Sequence, residues 1–117
     1  MNEKPLVNRV RSTSTRVPLR ALNQVRSHHF VIDSAHGPDE EITPIDAFLS
    51  GISSCAVHQM EMFAEQQGVK LEQAVATIEA FRRPEDPTFF DRVDLHLELF
   101  GPDQEQAEQL VEAFKGR

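Results

Sequence analysis

The sequence contains a single cysteine, no tryptophan and no tyrosine. One cysteine cannot form an internal disulfide, which excludes a disulfide scaffold and fits a reducing compartment. Eight phenylalanines supply all the aromatic side chains, so the chain is poorly equipped to stack nucleic-acid bases. No hydrophobic run approaches the roughly 18 residues of a membrane span, and the amino terminus has no signal-peptide pattern. These absences predict a cytoplasmic protein that binds neither membranes nor nucleic acid.

Positive charge is also scarce, and it is unevenly distributed. The formal net charge is −7, which argues against nucleic-acid binding driven by overall charge. Residues 1–32 carry six basic side chains and one acidic side chain, so this segment is +5 and residues 33–117 are −12. The asymmetry suggests a basic segment that lies across an acidic body, either of its own subunit or of a partner. An ordinary solvated pair of strands would give the same pattern.

The length and the order of the periodic segments predict one α+β domain over residues 1–117. A chain of 117 residues with 39% hydrophobic content can bury a modest core as a single unit. Residues 6–33 predict two or three antiparallel strands, of which His29–Asp33 is the clearest. A long helix, two further strands and a final helix follow, which is not the order of a βαβ winding.

The helix predicted over Thr43–Gly68 has a well-marked start. Thr43 is the N-cap, Pro44 takes the first helical position and Asp46 the third, where a capping-box acid belongs. Gly68 provides the stop. At about 37 Å such a helix is as long as a small domain is wide, so we expect it to be central, with a sheet around it. Its apolar residues recur at steps of three and four: Ile45, Phe48, Leu49, Ile52, Ala56, Met60 and Phe63.

The segments after the long helix differ in how clearly they specify a structure. Arg92–Phe100 alternates apolar and polar residues over its whole length and predicts a strand. Leu71–Arg83 also alternates, and it could begin as a helix end and continue as a strand. Asp103 then caps a short helix with one apolar face, which Gly116 would end.

Cys55, in the middle of the long helix, is the residue most relevant to chemistry. A lone thiol is either inert core filler or a nucleophile. Its small neighbours leave room for a ligand, although they could equally form a contact between helices or subunits: Ser50, Gly51, Ser53 and Ser54. A reactive thiolate needs a nearby cation, and the arginines of the amino-terminal strands are the obvious source.

His58 lies three residues after Cys55, on the same face of the helix. It could be an imidazole partner of the thiol, or an ordinary histidine of a polar face. No pair of spaced Cys/His motifs accompanies these two residues, so we predict neither a metal site nor another cofactor.

The stretch His29–Val57 resembles the signature region of the OsmC/Ohr family of thiol peroxidases. A strand that ends in Asp33 leads through a Gly-containing loop to a helix that starts at Pro44 and carries Cys55 eleven residues later. The resemblance implies an OsmC-like α+β fold, an intertwined homodimer and the reduction of organic hydroperoxides in oxidative stress defence. Other apolar and small residues match the family in position: Phe48, Leu49, Gly51 and Ser54.

The sequence departs from the family pattern at two functional positions. The family has a Glu directly after the helix-starting proline, and here that residue is Ile45. The family also has a second cysteine, placed before a proline after the last helix, which resolves the oxidised first cysteine as a disulfide. The sequence ends at Lys115–Arg117, about where that Cys-Pro pair and a final strand would follow, so we expect both to be lacking.

The leading hypothesis is therefore an OsmC-like peroxidase in which Cys55 is the nucleophile. The resemblance implies an assisting Arg in the first hairpin, for which Arg16 is the first candidate and Arg20 the second. His58 is an outside candidate for a base. The predicted partners are a second copy of the chain, a hydroperoxide and an external thiol reductant. A lone monomer would also leave much apolar surface uncovered, which supports the homodimer independently.

The alternative hypothesis is a non-catalytic, OsmC-like dimeric module that binds a small ligand at the Cys55 pocket or is purely structural. Ile45 and the missing second cysteine favour it. A third class, a metal- or nucleic-acid-binding protein, rests only on His58 and the basic segment.

Overall fold

A computed structural model describes residues 3–116; Arg117, at which the sequence ends, lies outside this range. The predicted α+β class is confirmed, with five strands and two helices in the described residues. No helix in residues 3–116 is long and apolar enough to cross a membrane. The elements are β1 (Arg11–Ser14), β2 (Arg20–Val25), β3 (His28–Asp33), α1 (Pro44–Gln67), β4 (Gln73–Phe81), β5 (Arg92–Phe100) and α2 (Gln104–Lys115).

The chain divides into two compact units, one that ends at Ala47 and one that starts at Phe48. The single domain over 1–117 stays a prediction. In the first unit, β1, β2 and β3 form an antiparallel sheet in that order. Asn23 of β2 is almost fully buried and joins all three strands. Its Oδ1 accepts a hydrogen bond from Ser12 Oγ at 2.6 Å, and its Nδ2 donates to the Phe30 carbonyl at 3.3 Å.

Helix α1 begins as the sequence predicts. The Asp46 amide donates to Thr43 Oγ1 at 3.2 Å, and the Thr43 amide donates to Asp46 Oδ2 at 3.1 Å. This reciprocal pair is a capping box, and Pro44 occupies the first helical position, where no amide donor is needed. Gly68 ends the helix with a φ of 68°, in the left-handed region that glycine adopts without a Cβ clash.

In the second unit, β4 and β5 form an antiparallel pair in which Ala76 faces Leu97. The strand predicted over Arg92–Phe100 is confirmed residue for residue. The expectation that the segment from Leu71 begins as a helix end is wrong, because the helix has already stopped at Gln67. The Glu72 amide instead donates to the Phe100 carbonyl at 2.8 Å, and this bond leads the chain into the sheet.

The core of the second unit lies where the carboxyl-terminal half of α1 packs against α2. Met60, Phe63 and Ala64 of α1 are buried with Leu110 of α2, and apolar side chains of β4 and β5 pack around them. Helix α2 has the predicted cap, since Asp103 and Gln106 form a second capping box. The amino-terminal half of the apolar stripe of α1 is less covered, with Phe48 58% and Ile52 36% exposed.

Candidate functional site

Cys55 lies near the middle of α1, and its thiol is exposed. Successive residues of a helix differ by about 100° in direction, so Ala56 and Met60 face the core while Cys55 lies on the flank. The thiol is therefore not core filler in this structure. An exposed thiol can meet a dissolved oxidant or ligand without any rearrangement of the core.

The helix surface beside Cys55 carries little bulk. Gly51 lies one turn before the thiol, and a Cβ added there would meet no atom within 4 Å. The serines nearby are short, and Ser53 Oγ donates back to the Ser50 carbonyl at 3.3 Å. Open space therefore lies beside Gly51, one turn before Cys55.

Gln59, one turn after Cys55, is the polar side chain that contacts the thiol. Its Nε2 donates a hydrogen bond to Cys55 Sγ at 3.4 Å, within the range of bonds to sulfur. Its Oε1 is shielded from solvent and has no hydrogen-bond partner among residues 3–116. Sequence reasoning missed Gln59, although its i+4 spacing from Cys55 is the signal that would have found it.

His58, the outside candidate for a base, is exposed on α1. The side-chain hydrogen bond of the thiol comes from Gln59, and none joins His58 to Cys55 in the described residues. In the same part of the chain, no three His, Cys, Asp or Glu side chains are grouped so that they could hold a metal ion.

The two candidate arginines are in different situations. Arg16 is exposed in the connection between β1 and β2, in the first unit, whereas Cys55 belongs to the second. Arg20, at the start of β2, is already engaged by two carboxylates. Its Nε donates to Asp33 Oδ1 at 2.7 Å, and its Nη2 donates to Asp33 Oδ2 and to Glu40 Oε1, each at 2.8 Å. These hydrogen bonds raise the pKa of Arg20 above its ordinary value.

Asp33, the last residue of β3, organises the loop that leads to α1. Its side chain is fully buried, and besides Arg20 it accepts hydrogen bonds from the Glu40 and Glu41 amides at 3.1 Å each. The hydrogen bonds from Arg20, followed by those from the two amides, lower the pKa of Asp33 from 3.8 to about 2. Asp33 and Arg20 therefore act as structural anchors of the first unit.

Asp46, the carboxylate next to Ile45 in the sequence, has a structural role. The neighbouring Asp46 accepts the Thr43 amide as part of the helix cap. Its charge lies at the amino-terminal end of the helix, where the macrodipole favours it. Asp46 is thus used for capping, and Cys55 lies about two and a half turns further along.

A family model and several solved structures resemble this chain. The family model described as OsmC-like protein matches residues 37–117, about two thirds of the chain. No curated protein sequence matches the chain significantly. Among solved structures, an OsmC-like protein from Mycoplasma pneumoniae superposes with a TM-score of 0.82 at 15% identity, over 100% of this chain and 84% of that one.

Two further structures carry names that refer to hydroperoxide resistance. The organic hydroperoxide resistance protein OhrB of Bacillus subtilis is 18% identical, with a TM-score of 0.63 over 92% of this chain and 82% of that one. An organic hydroperoxide resistance protein OsmC from Legionella pneumophila is 19% identical, with a TM-score of 0.66 over 94% and 82%. At these identities the structural likeness concerns the fold. Together with the match over residues 37–117, it means that this chain belongs to the OsmC-like protein family.

Proposed function

We propose that this protein is a cysteine-dependent peroxidase that reduces organic hydroperoxides in the cytoplasm as part of oxidative stress defence. The observation that carries the proposal is the exposed Cys55 thiol, eleven residues after Pro44, with open space beside Gly51 one turn earlier. Membership of the OsmC-like family supports it, as do the structural relatives whose names refer to organic hydroperoxide resistance.

The reaction begins when the Cys55 thiolate attacks the terminal oxygen of the hydroperoxide. A sulfur–oxygen bond forms, the O–O bond breaks, and the alkoxide leaves and takes a proton from solvent to become an alcohol. The sulfur is oxidised to a sulfenic acid while the peroxide is reduced by two electrons. Because the sequence has no second cysteine, an external thiol condenses with the sulfenic acid and releases water. A second thiol then reduces this mixed disulfide and restores Cys55.

Arg16 is the candidate cation for this chemistry. A guanidinium near the sulfur would favour the thiolate and would stabilise the negative charge that develops on the leaving oxygen. Arg20 is less suited, because its guanidinium is bound by Asp33 and Glu40. His58 is the second candidate, as a base that removes the thiol proton.

The functional form that we propose is a homodimer. Phe48 and Ile52 lie on the same helix surface as Cys55 and are exposed in the single chain. A second copy that covers these apolar side chains would also limit access of water to the thiol.

Peroxide consumption by the purified protein tests the activity. We expect the protein to consume cumene hydroperoxide in the presence of a dithiol reductant, and Cys55→Ser to lose this activity entirely. Ser53→Ala is the matched control, since it alters a neighbouring small residue and leaves the thiol in place. The proposal fails if neither cumene hydroperoxide nor hydrogen peroxide is consumed and Cys55→Ser behaves like the natural sequence.

The second candidate function is a non-catalytic dimeric module that binds a small ligand beside Cys55. Ile45, which stands where the family has a Glu, favours it. The thiol pKa, measured by alkylation against pH, separates the two functions. A value well below the reference of about 8.5 supports the peroxidase, and an unperturbed, unreactive thiol supports the module.

A further inference from the structure

We propose that Gln59 is a further catalytic residue, whose side-chain amide stabilises the Cys55 thiolate and the sulfenic acid that forms from it. The inference rests on the proposed function in so far as Cys55 reacts with a hydroperoxide. The effect of Gln59 on the thiolate does not depend on the oxidant and can be measured separately.

The first support is the position of the donor. Gln59 Nε2 lies 3.4 Å from Cys55 Sγ, and both residues belong to the same regular helix. Residues at i and i+4 lie one above the other on a helix surface, so the backbone holds the donor beside the sulfur before any substrate arrives. A hydrogen bond to an ionised acceptor is stronger than one to a neutral acceptor, so this donor favours the thiolate over the thiol.

The second support is the other end of the same amide. Gln59 Oε1 is shielded from solvent and accepts no hydrogen bond from residues 3–116. The amide oxygen therefore points away from Cys55, and the nitrogen, which can only donate, is the end of the group that contacts the sulfur. Because a donor binds the thiolate more strongly than the thiol, the contact acts in one direction on the ionisation of Cys55.

The third support is the absence of a carboxylate after Pro44, where Ile45 stands. Asp46 is committed to the helix cap, and Arg20 is committed to Asp33 and Glu40. The donor that the structure describes in hydrogen-bond contact with the sulfur is a neutral amide. Gln59 thus stabilises the thiolate through an N–H donor and not through a charge of its own.

In the oxidation step, the sulfur–oxygen bond forms as the O–O bond breaks and the alkoxide leaves with a solvent proton. The Gln59 amide is not itself changed in this reaction. Its N–H donates to the thiolate before attack and to the sulfenic oxygen afterwards. The effect of Gln59 therefore appears first in the protonation equilibrium of Cys55 and only then in turnover.

Two variants of Gln59 test the assignment. Gln59→Met keeps the length of the side chain and removes both the donor and the acceptor, whereas Gln59→Glu keeps the shape and replaces the donor with a carboxylate. The measurement is the rate of Cys55 alkylation by iodoacetamide between pH 5 and pH 10, together with cumene hydroperoxide consumption. Gln66→Met is the control, since Gln66 is an exposed glutamine two turns further along the same helix.

His58 is the titratable side chain that follows Cys55 on this face, and the structure describes no charged side chain of another element in hydrogen-bond contact with the sulfur. The measurement of Cys55 alkylation against pH should also be made in the His58→Gln background. This control prevents ionisation of the imidazole from being mistaken for an effect of Gln59. The exposed His58 is screened by solvent, and its removal should leave the difference between the Gln59 variants unchanged.

We expect Gln59→Met to raise the thiol pKa so that alkylation at pH 7 slows by about three- to tenfold, and Gln59→Glu to raise it further. Gln66→Met should match the natural sequence. The assignment is overturned if a folded Gln59→Met or Gln59→Glu protein titrates like the natural one, whatever its peroxidase activity. If the pKa shifts but no variant consumes hydroperoxide, the thiolate role of Gln59 stands and the proposed peroxidase function fails.

Discussion

The guanidinium of Arg20 and the carboxylate of Asp33 form two parallel hydrogen bonds, from Nε to Oδ1 at 2.7 Å and from Nη2 to Oδ2 at 2.8 Å. This bidentate geometry joins the first residue of β2 to the last residue of β3, which face each other in the sheet. Glu40 shares the same guanidinium, so the loop before α1 is attached to the pair. The contact therefore commits Arg20 to holding the sheet and the loop before α1.

Asp33 should make the stability of the protein depend on pH in the acid range. Its pKa is lowered from 3.8 to about 2, so its ionised form contributes stability above about pH 4 that is lost as the pH falls towards 2. Asp33→Asn should lower the melting temperature at pH 7 and flatten its dependence on pH in this window. Asp94→Asn, which removes an exposed ion pair with Arg92, should change little. Identical curves for Asp33→Asn and the natural protein between pH 2 and pH 5 would contradict the prediction.

Leu110 should contribute strongly to stability, because its side chain on α2 is fully buried against α1. Leu110→Ala removes buried methyl groups and leaves a cavity, which should lower the free energy of unfolding by about 2–5 kcal/mol in urea titrations. Leu6→Ala is the control, since Leu6 is 99% exposed. A loss below about 1 kcal/mol at Leu110 would mean that the helix contact is looser than the structure indicates.

Two glycine-to-alanine substitutions should have opposite effects. Gly101 has a φ of 112°, and a Cβ there would lie 2.7 Å from the Lys70 carbonyl oxygen, so Gly101→Ala should be destabilising by more than about 1 kcal/mol. Gly51 lies inside α1 with open space around it, so Gly51→Ala should be stabilising by about 0.5–1 kcal/mol. Thermal unfolding of both variants measures the difference. A destabilised Gly51→Ala protein would indicate that another chain packs closely against this surface.

The proposed dimer predicts that the apolar surface beside Cys55 is covered in solution. Ile52→Asp should weaken the assembly, because a charge buried against a second copy has no partner there. Val93→Asp on β5 is the control for the effect of a new charge at a partly exposed apolar position away from this helix surface. Sedimentation at micromolar concentration measures the change, and a monomeric natural protein would contradict the dimer.

Arg16 should affect turnover more than stability. It is exposed and forms no ion pair in the described residues, so Arg16→Gln should leave the melting temperature nearly unchanged. If Arg16 stabilises the charge that develops during peroxide cleavage, the variant should lose about a hundredfold in cumene hydroperoxide reduction. Arg26→Gln, which removes another exposed positive charge of the same sheet, is the control. Equal activity of the two variants would remove Arg16 from the proposed site.

Local signals predicted the bounds of β3, α1, β5 and α2 to within a residue or two, whereas β1 and β2 were predicted only as strands within residues 6–33. Thr43, Pro44 and Asp46 mark the start of α1 through hydrogen bonds that join residues three apart, and such signals are readable in any linear sequence. The alternation in Arg92–Phe100 likewise predicted β5 because side chains on a strand point to opposite faces in turn. The prediction that the segment from Leu71 begins as a helix end was wrong for a related reason. A local alternation of apolar and polar residues does not show where the preceding helix ends, and here it ends at Gln67.

The sequence by itself determined the class of the fold, the start of the long helix and the position of Cys55 on it, because capping and periodicity act over a few residues. Only the tertiary structure decided which side chains those elements bring together. It assigned Arg20 to the buried Asp33, exposed the thiol while burying Met60, and left Gln59 as the donor to Cys55. Burial and hydrogen-bond partners depend on how separate segments pack, and a linear pattern does not contain that information.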